Sequence, residues 1–259
     1  RDRRDRRGGV MMRYWLRRPG LVLAIAVSIL VLLWALILGV FSAHNATDIV
    51  PADKLQGPSA AHPFGTDNLG RDQYARVVYG ARLSLEAAAI AVAVASVVGS
   101  LIGLIAAFVG GWVDDALMRV VDVLLAIPAL LLSLAIVTAL GFGTINVAIA
   151  VGIASTASFA RVMRAEVLRI RTSLYIEASR SGGVRSLGVL GRHVLPNASG
   201  PVIALTTLEL GTALLAVSAL SFLGFGARPP APEWGSLVSA GRSYLDTAWW
   251  MTTLPGLVV

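Results

Sequence analysis

The chain has 259 residues, 56% of them hydrophobic and only 14% charged, with a mean hydropathy of +0.74. Soluble domains carry about 25% charged residues, so this composition excludes an ordinary soluble globular domain and points to a polytopic membrane protein. The net charge of +7 does not imply nucleic acid, because the arginines sit beside apolar runs as membrane topology demands, and the lack of cysteine excludes a disulfide, a thiolate metal site and a cysteine nucleophile.

Residues 1–20 hold eight arginines and read as a solvated cytoplasmic arm, with an RNA-binding arm as the alternative. Leu21 to Phe41 is a first span: 21 uncharged residues make about 30 Å of helix, the thickness of a bilayer core. It is too long for a cleaved signal peptide. Trp15 and Trp34 suit interfacial or packing roles. Residues 42–82 are polar and broken by Pro51, Pro58 and Pro63, so they read as an external loop leading into an amphipathic elbow. Asp67, Asn68 and Asp72 fall short of a calcium loop, which needs more ligands at fixed spacing. The three histidines, His44, His62 and His193, are scattered and make no metal-ligand spacing, so no metal is expected.

Ser84 to Val109 is a second span, rich in small residues that allow close packing in lipid. Glu86 lies at its mouth. Gly110-Gly111 and Asp114-Asp115 form a short loop. A third span runs from about Met118 to Leu140. Arg119 and Asp122 are expected to pair on one face of it, and Pro128 to kink it, either for packing or to line a pathway. Gly141 to Asn146 is a turn, and about Ile145 to Ala160 a fourth span. Val202 to Leu223 is a fifth. It carries Glu209, which at that depth must face a water-filled path, a partner helix, or Thr206 or Thr207. Residues 222–250 form a second polar loop, and the run from Trp249 to Val259 reads as an incomplete sixth helix.

With the N-terminus inside, segments 1–20, 110–119 and 161–201 hold 16 Lys/Arg against six outside (Lys54, Arg71, Arg76, Arg82, Arg228, Arg242). This bias favours a cytoplasmic N-terminus. It also places in the cytoplasm the polar island from Glu177 to Asn197, within a loop of about 165–198. Glu177-Ala178-Ser179 followed by Gly182-Gly183 reads as a short helix stopped by glycine. Such a helix can fill a groove on a soluble partner. The residues alone leave an ordinary positive-inside loop open.

The island resembles the signature loop of ABC importer permeases. Glu177, Ala178, Gly183, Leu195 and Pro196 match that signature in register, and Ser179 departs conservatively. Several further stretches resemble the C-type permease subunit of dipeptide/oligopeptide and nickel importers. They are His62-Pro63-Phe64-Gly65-Thr66-Asp67, Gly70-Arg71-Asp72, Tyr79-Gly80-Ala81-Arg82, Arg192-His193-Val194-Leu195-Pro196-Asn197 and Leu220-Ser221-Phe222-Leu223-Gly224-Phe225-Gly226. The carboxylate usual before the last of these falls at Val217. Glu209, eight residues earlier and on nearly the same face, is expected to take over a polar role in the path.

The resemblance implies an all-α membrane protein, a six-helix type I (MetI-like) permease with residues 83–259 as its transmembrane domain. Glu177, Ala178, Ser179, Gly183, His193, Leu195 and Pro196 would couple it to an ATPase, and Pro128 and Glu209 are candidates for the path. The implied partners are a homologous B-type permease, two ATPase domains or subunits, an external substrate-binding protein and the bilayer of the bacterial cytoplasmic membrane. ATP and Mg would be bound by the ATPases, since this chain has no Gly-x-x-x-x-Gly-Lys-Ser/Thr cradle and supplies no cofactor or catalytic residue of its own. The implied cargo is dipeptides or oligopeptides, with nickel, haem or another small solute as alternatives. A secondary transporter would need coupling carboxylates in several spans, and only Glu209 lies deep. An intramembrane protease would need a Gly-x-Ser-Gly, paired aspartates or His-Glu-x-x-His pattern, and none is present.

Overall fold

A computed structural model describes residues 18–42, 44–182 and 186–259. Residues 1–17 of the basic arm expected over 1–20, and the glycine stop at Gly183, lie outside the described residues, while Pro19 and Gly20 already belong to the first helix. The regular elements of the described residues are helices, joined by irregular loops, the longest over 42–72, which holds one isolated antiparallel bridge between Thr66 and Asp72.

Helix α1 (Pro19–Leu36) begins with proline in its first turn, where no amide donor is lost. Its apolar surface faces outward except at Trp34, which is buried edge-on against Tyr74. A four-residue turn, α2 (Leu38–Phe41), completes the first apolar run. Helix α3 (Gln73–Val109) is unbroken for 37 residues, about 55 Å long. The expected elbow is therefore not a separate element. Residues 73–83 continue the span outward, because Ala75, Val77, Val78 and Ala81 bury against α1 and the final loop.

Gly110 and Gly111, both at positive φ, turn the chain into α4 (Gly111–Ala126). Asp114 thus sits in a helix, where a loop was expected. Pro128 does more than kink the third run: α4 and α5 (Ala129–Leu140) are bent by 99° at this break. Proline blocks the helical conformation of the residue before it, and Ile127 is extended. Asn146 Nδ2 then donates to the Leu140 carbonyl, closing the end of α5.

Helix α6 (Thr144–Arg171) runs 28 residues, well past the expected end at Ala160. Helix α7 (Leu174–Ser181) is short. A turn of α8 (Ser186–Val189) and a π-turn over Leu190–Val194 lead into α9 (Leu195–Phe222). This last span starts seven residues earlier than expected and tolerates Pro201 inside it. Two shorter helices, α10 (Trp234–Gly241) and α11 (Trp250–Val258), close the described chain. Four of these helical stretches are long and apolar enough to cross a bilayer, or five if the broken α4–α5 pair is one span.

The frame is the packing of α3 on α6. A Cβ at Gly99 would lie 2.6 Å from that of Phe159, and one at Gly152 would lie 2.6 Å from the Ala91 carbonyl. A Cβ at Gly103 would overlap the Ala160 carbonyl. Gly99 and Gly103 are four apart, hence on one helix face, and permit the close backbone approach that lipid-embedded helices use. Ala87, Ala88 and Ala91 continue the contact against Val147, Ala148 and Val151.

Ion pairs fix the opposite end of α6. Arg164 grips Asp114 through two bonds of 2.6 and 2.7 Å, and Arg171 donates to the Ala107 carbonyl at the end of α3. Arg119 does not pair with Asp122, which takes Arg161 at 2.8 Å. A partner on a neighbouring helix is reached as readily as one three residues away.

Glu233 caps α10 through Oε1, which accepts from the Gly235 amide at 3.2 Å. It is fully buried, and its Oε2 has no partner. Burial pushes this carboxyl above its ordinary value of 4.5, with the nearby Ser221 hydroxyl and then the Gly235 and Ser236 amides opposing.

Two outcomes are expected. Gly103→Val should lower stability by about 1–3 kcal/mol through overpacking, read as a lower melting temperature in detergent. Gly39→Val, with nothing within 4 Å of its Cβ position, should not. For Glu233, the folded state holds its proton above the pH at which the unfolded chain releases it. Stability should therefore fall as pH rises above about 4.5. Glu233→Gln keeps the cap and should flatten that fall in melts across pH.

Candidate functional site

Two places bring the expected functional residues together. The first is the base of the bundle, beyond the end of α6. Thr172 and Ser173 end that helix, and Ser173 Oγ donates to the Ile170 carbonyl at 2.5 Å. The chain turns at once into α7. One residue of α7, Ile176, is fully buried, in a cluster with Met163, Val167, Val189 and Val194. Its neighbours face the other way: Leu174 is 83% exposed and Tyr175 45%. Among the described side chains of the helix, Ile176 is the buried anchor, while an apolar surface stays open.

The second half of the loop returns beneath α7. Tyr175 meets His193 edge-on at 6.2 Å. Asn197 Nδ2 donates to the His193 carbonyl at 2.6 Å, which steadies the widened π-turn as it passes into α9. Leu195 and Pro196 form the exposed first turn of α9, where a proline costs no hydrogen bond. Ser179 Oγ donates to the Tyr175 carbonyl within α7. Glu177 and Ala178 lie on the α7 backbone, their side chains outside the described residues.

The second place is a cavity of about 330 Å³ within the spans. Ala129 and Leu130, the first residues after the Pro128 break, line it together with Ser133, Ala154, Thr212 and Glu209. Ser133 and Thr212 bond carbonyls of their own helices. Thr206 and Thr207 do the same, which removes them as partners for Glu209. Glu209 makes no hydrogen bond or ion pair among the described residues, and its carboxylate is the charged group of the cavity wall. The expected equivalence of Glu209 with position 217 fails. Eight residues advance about 80° beyond two full turns, and Val217 is fully buried against α3 and α6.

The loop before α3 is built differently from its sequence reading. Asp67 Oδ1 accepts the Leu69 and Arg71 amides, while Oδ2 accepts from Arg71 Nε at 2.7 Å. Arg76 lies 3.8 Å from the same oxygen. This carboxylate is a loop organiser with its lone pairs taken. Gly70, at φ +78°, makes the turn between the two halves of that network. His44 and His62, scattered in sequence, come together with ring centres 5.2 Å apart beside Asp72. No local spacing could have shown this, since 18 residues separate the two.

Residues 99–259 match the family described as binding-protein-dependent transport system inner membrane component. The chain is 41% identical over 209 residues to the dipeptide transport system permease protein DppC of Alkalihalophilus pseudofirmus, covering 81% of this chain and 69% of the relative. It is 38% identical over 253 residues to the glutathione transport system permease protein GsiD of Pectobacterium atrosepticum, covering 95% and 83%. The di/tripeptide transport system permease protein DppC of Pseudomonas aeruginosa is 41% identical over 211 residues, covering 82% and 70%. With its apolar helices, its match to this family over residues 99–259 and these three transport permeases as relatives, the chain is a multi-pass membrane protein of the binding-protein-dependent transport system inner membrane component family.

Proposed function

We propose that this chain is the C-type permease subunit of an ATP-driven importer of short peptides. The observation that carries the coupling half of this reading is α7, anchored by Ile176 and offering Leu174 and Tyr175 outward. A short helix with an open apolar surface and arginines nearby fits a groove on a soluble ATPase. The cargo rests on the relatives, two of which are named for dipeptides or di/tripeptides and one for glutathione, itself a tripeptide. The N-terminus and α7 lie in the cytoplasm, and the loops at 42–72 and 223–249 lie outside.

In this reading a homologous B-type permease completes the path, two ATPase domains or subunits bind ATP and Mg, and an external binding protein delivers the peptide. The chain performs no hydrolysis itself. ATP binding closes the ATPases. The motion enters through α7 and reaches α6 and α9, because Ile176 packs against Met163 and Val167 on α6 and against Val194 at the foot of α9. Interfaces with two discrete packings convert such a shift into alternating access. The cavity at Glu209 beside the Pro128 break belongs to the path. Its carboxylate suits the ammonium group of a peptide passing through a partly dry channel.

The reading is tested by uptake of a labelled dipeptide in a strain lacking the gene and complemented with variants. Leu174→Asp and Glu177→Lys should reduce uptake at least about tenfold and leave ATP hydrolysis running without transport, while the subunit still inserts and melts normally. Normal uptake in both would remove the coupling role of α7. Glu209→Gln should lower uptake of peptides with a free amino terminus more than that of N-acetylated ones. Equal uptake of both would remove Glu209 from the path.

A further inference from the structure

We propose that His44, His62 and Asp72 form a divalent transition-metal site of the two-histidine, one-carboxylate kind, suited to zinc, on the loop before α3. This inference does not depend on the transport reading.

The three side chains each present a ligand atom, all within 4.8 Å of one another. His62 Nδ1 is 2.7 Å from Asp72 Oδ2, and His44 Nδ1 is 4.0 Å from the same oxygen. Around tetrahedral zinc, with bonds of about 2.0–2.1 Å, neighbouring ligand atoms stand about 3.3 Å apart. The two observed separations lie on either side of that value. One must open and the other close by about 0.6–0.7 Å, a side-chain adjustment that leaves the backbone in place. Imidazole nitrogen with a single carboxylate oxygen is a donor set that zinc accepts, with the fourth position left to water or an incoming anion.

The two acidic residues of the loop explain why the site falls where it does. Asp67 is saturated by backbone amides and by Arg71 and Arg76. Among the described residues Asp72 has no arginine or lysine partner. Its Oδ1 accepts the Ala75 amide as the cap of α3, at 2.6 Å, and that fixes Oδ2 toward the histidines. Asp72 is 5% exposed, so its carboxylate is held in a dry setting where a cation is worth more than at the surface. His62 is itself positioned, its amide accepted by Ser59 Oγ at 3.1 Å. His44 is placed by a local turn in which Ser42 Oγ donates to its carbonyl at 2.8 Å. The His44 ring makes no hydrogen bond and is half exposed, open to an arriving ion. Binding replaces the proton between His62 Nδ1 and Asp72 Oδ2 with the metal, and the neutral imidazole then carries its N–H on Nε2.

The consequence is a cross-link. The ion would tie the segment after α2, through His44, to the loop at His62 and to the first residue of α3's cap. Ala46 is already held there by Arg76 Nη1, which donates to its carbonyl at 3.1 Å. Metal would therefore make a preformed contact rigid rather than create a new one.

The test uses the chain purified in detergent, together with any subunits that accompany it, with an affinity tag free of histidine. Zinc titration by competition with a chromophoric chelator should give about one ion per chain, and Co(II) should give visible d–d bands. His44→Ala and His62→Ala should each weaken zinc by at least about tenfold and remove the cobalt bands. Asp72→Asn should do the same while keeping the helix cap, since asparagine also accepts from the Ala75 amide. His193→Ala should leave the stoichiometry unchanged. Zinc held equally by His44→Ala and the parent chain, or held by neither, would overturn the site.

Discussion

The close approach of α3 and α6 is the constraint on which the other elements depend. In lipid there is little hydrophobic drive between helices, so contact must come from packing itself. Gly99, Gly103 and Gly152 remove the side chains that would hold the two backbones apart. Once joined, the pair offers two ends. One end carries the loop from Pro51 to Asp72, pinned where Trp250 Nε1 donates to the Thr66 carbonyl. The other end carries Arg164, Arg171 and the anchored helix α7. A shift transmitted to the foot of α6 is thus borne by a helix that cannot slide freely against its neighbour.

The charged residues follow the same division. Arg161 and Arg164 reach across to Asp122 and Asp114 on α4, so the half of the broken run before Pro128 is tied to α6 by ion pairs. The half after it, α5, is tied by apolar contact and by Asn146 at its end. The 99° bend separates these two attachments and leaves Ala129 and Leu130 at the mouth of the Glu209 cavity. The Pro128 carbonyl accepts only the Leu132 amide, at 3.0 Å, in the first turn of α5. Its effect is to end one helix and start another in a different direction.

Much of this was legible in the residues. Long uncharged runs marked the spans because a bilayer tolerates little else, and the Glu-Ala-Ser island marked a short helix between two of them. Helix limits were less legible. Residues 73–83 look like a polar elbow, yet they extend α3 because Trp234 and α1 cover them, a contact between distant parts of the chain. Arg119 and Asp122 look like a pair by spacing alone, and Arg161 wins from another helix. Val217 and Glu209 look alike on a coarse count of turns, but the remaining 80° sends one into the core and the other to a cavity. The cluster of His44, His62 and Asp72 is assembled by an irregular loop that carries no periodicity to read. Glu177 remains a sequence match, with the α7 backbone and the Ile176 anchor as its structural setting, and Gly183 lies outside the described residues.

The central claim is that α7 is a mechanical joint to an ATPase. The chain has no cysteine, so a cysteine placed at Leu174 is its sole thiol. Attaching a short photo-cross-linker there, in membranes containing the intact importer, tests the claim most directly. The account predicts a covalent product with an ATPase subunit, in a yield that changes when ATP is trapped before hydrolysis. Cross-links only to lipid or to another membrane subunit, unaltered by nucleotide, would contradict it.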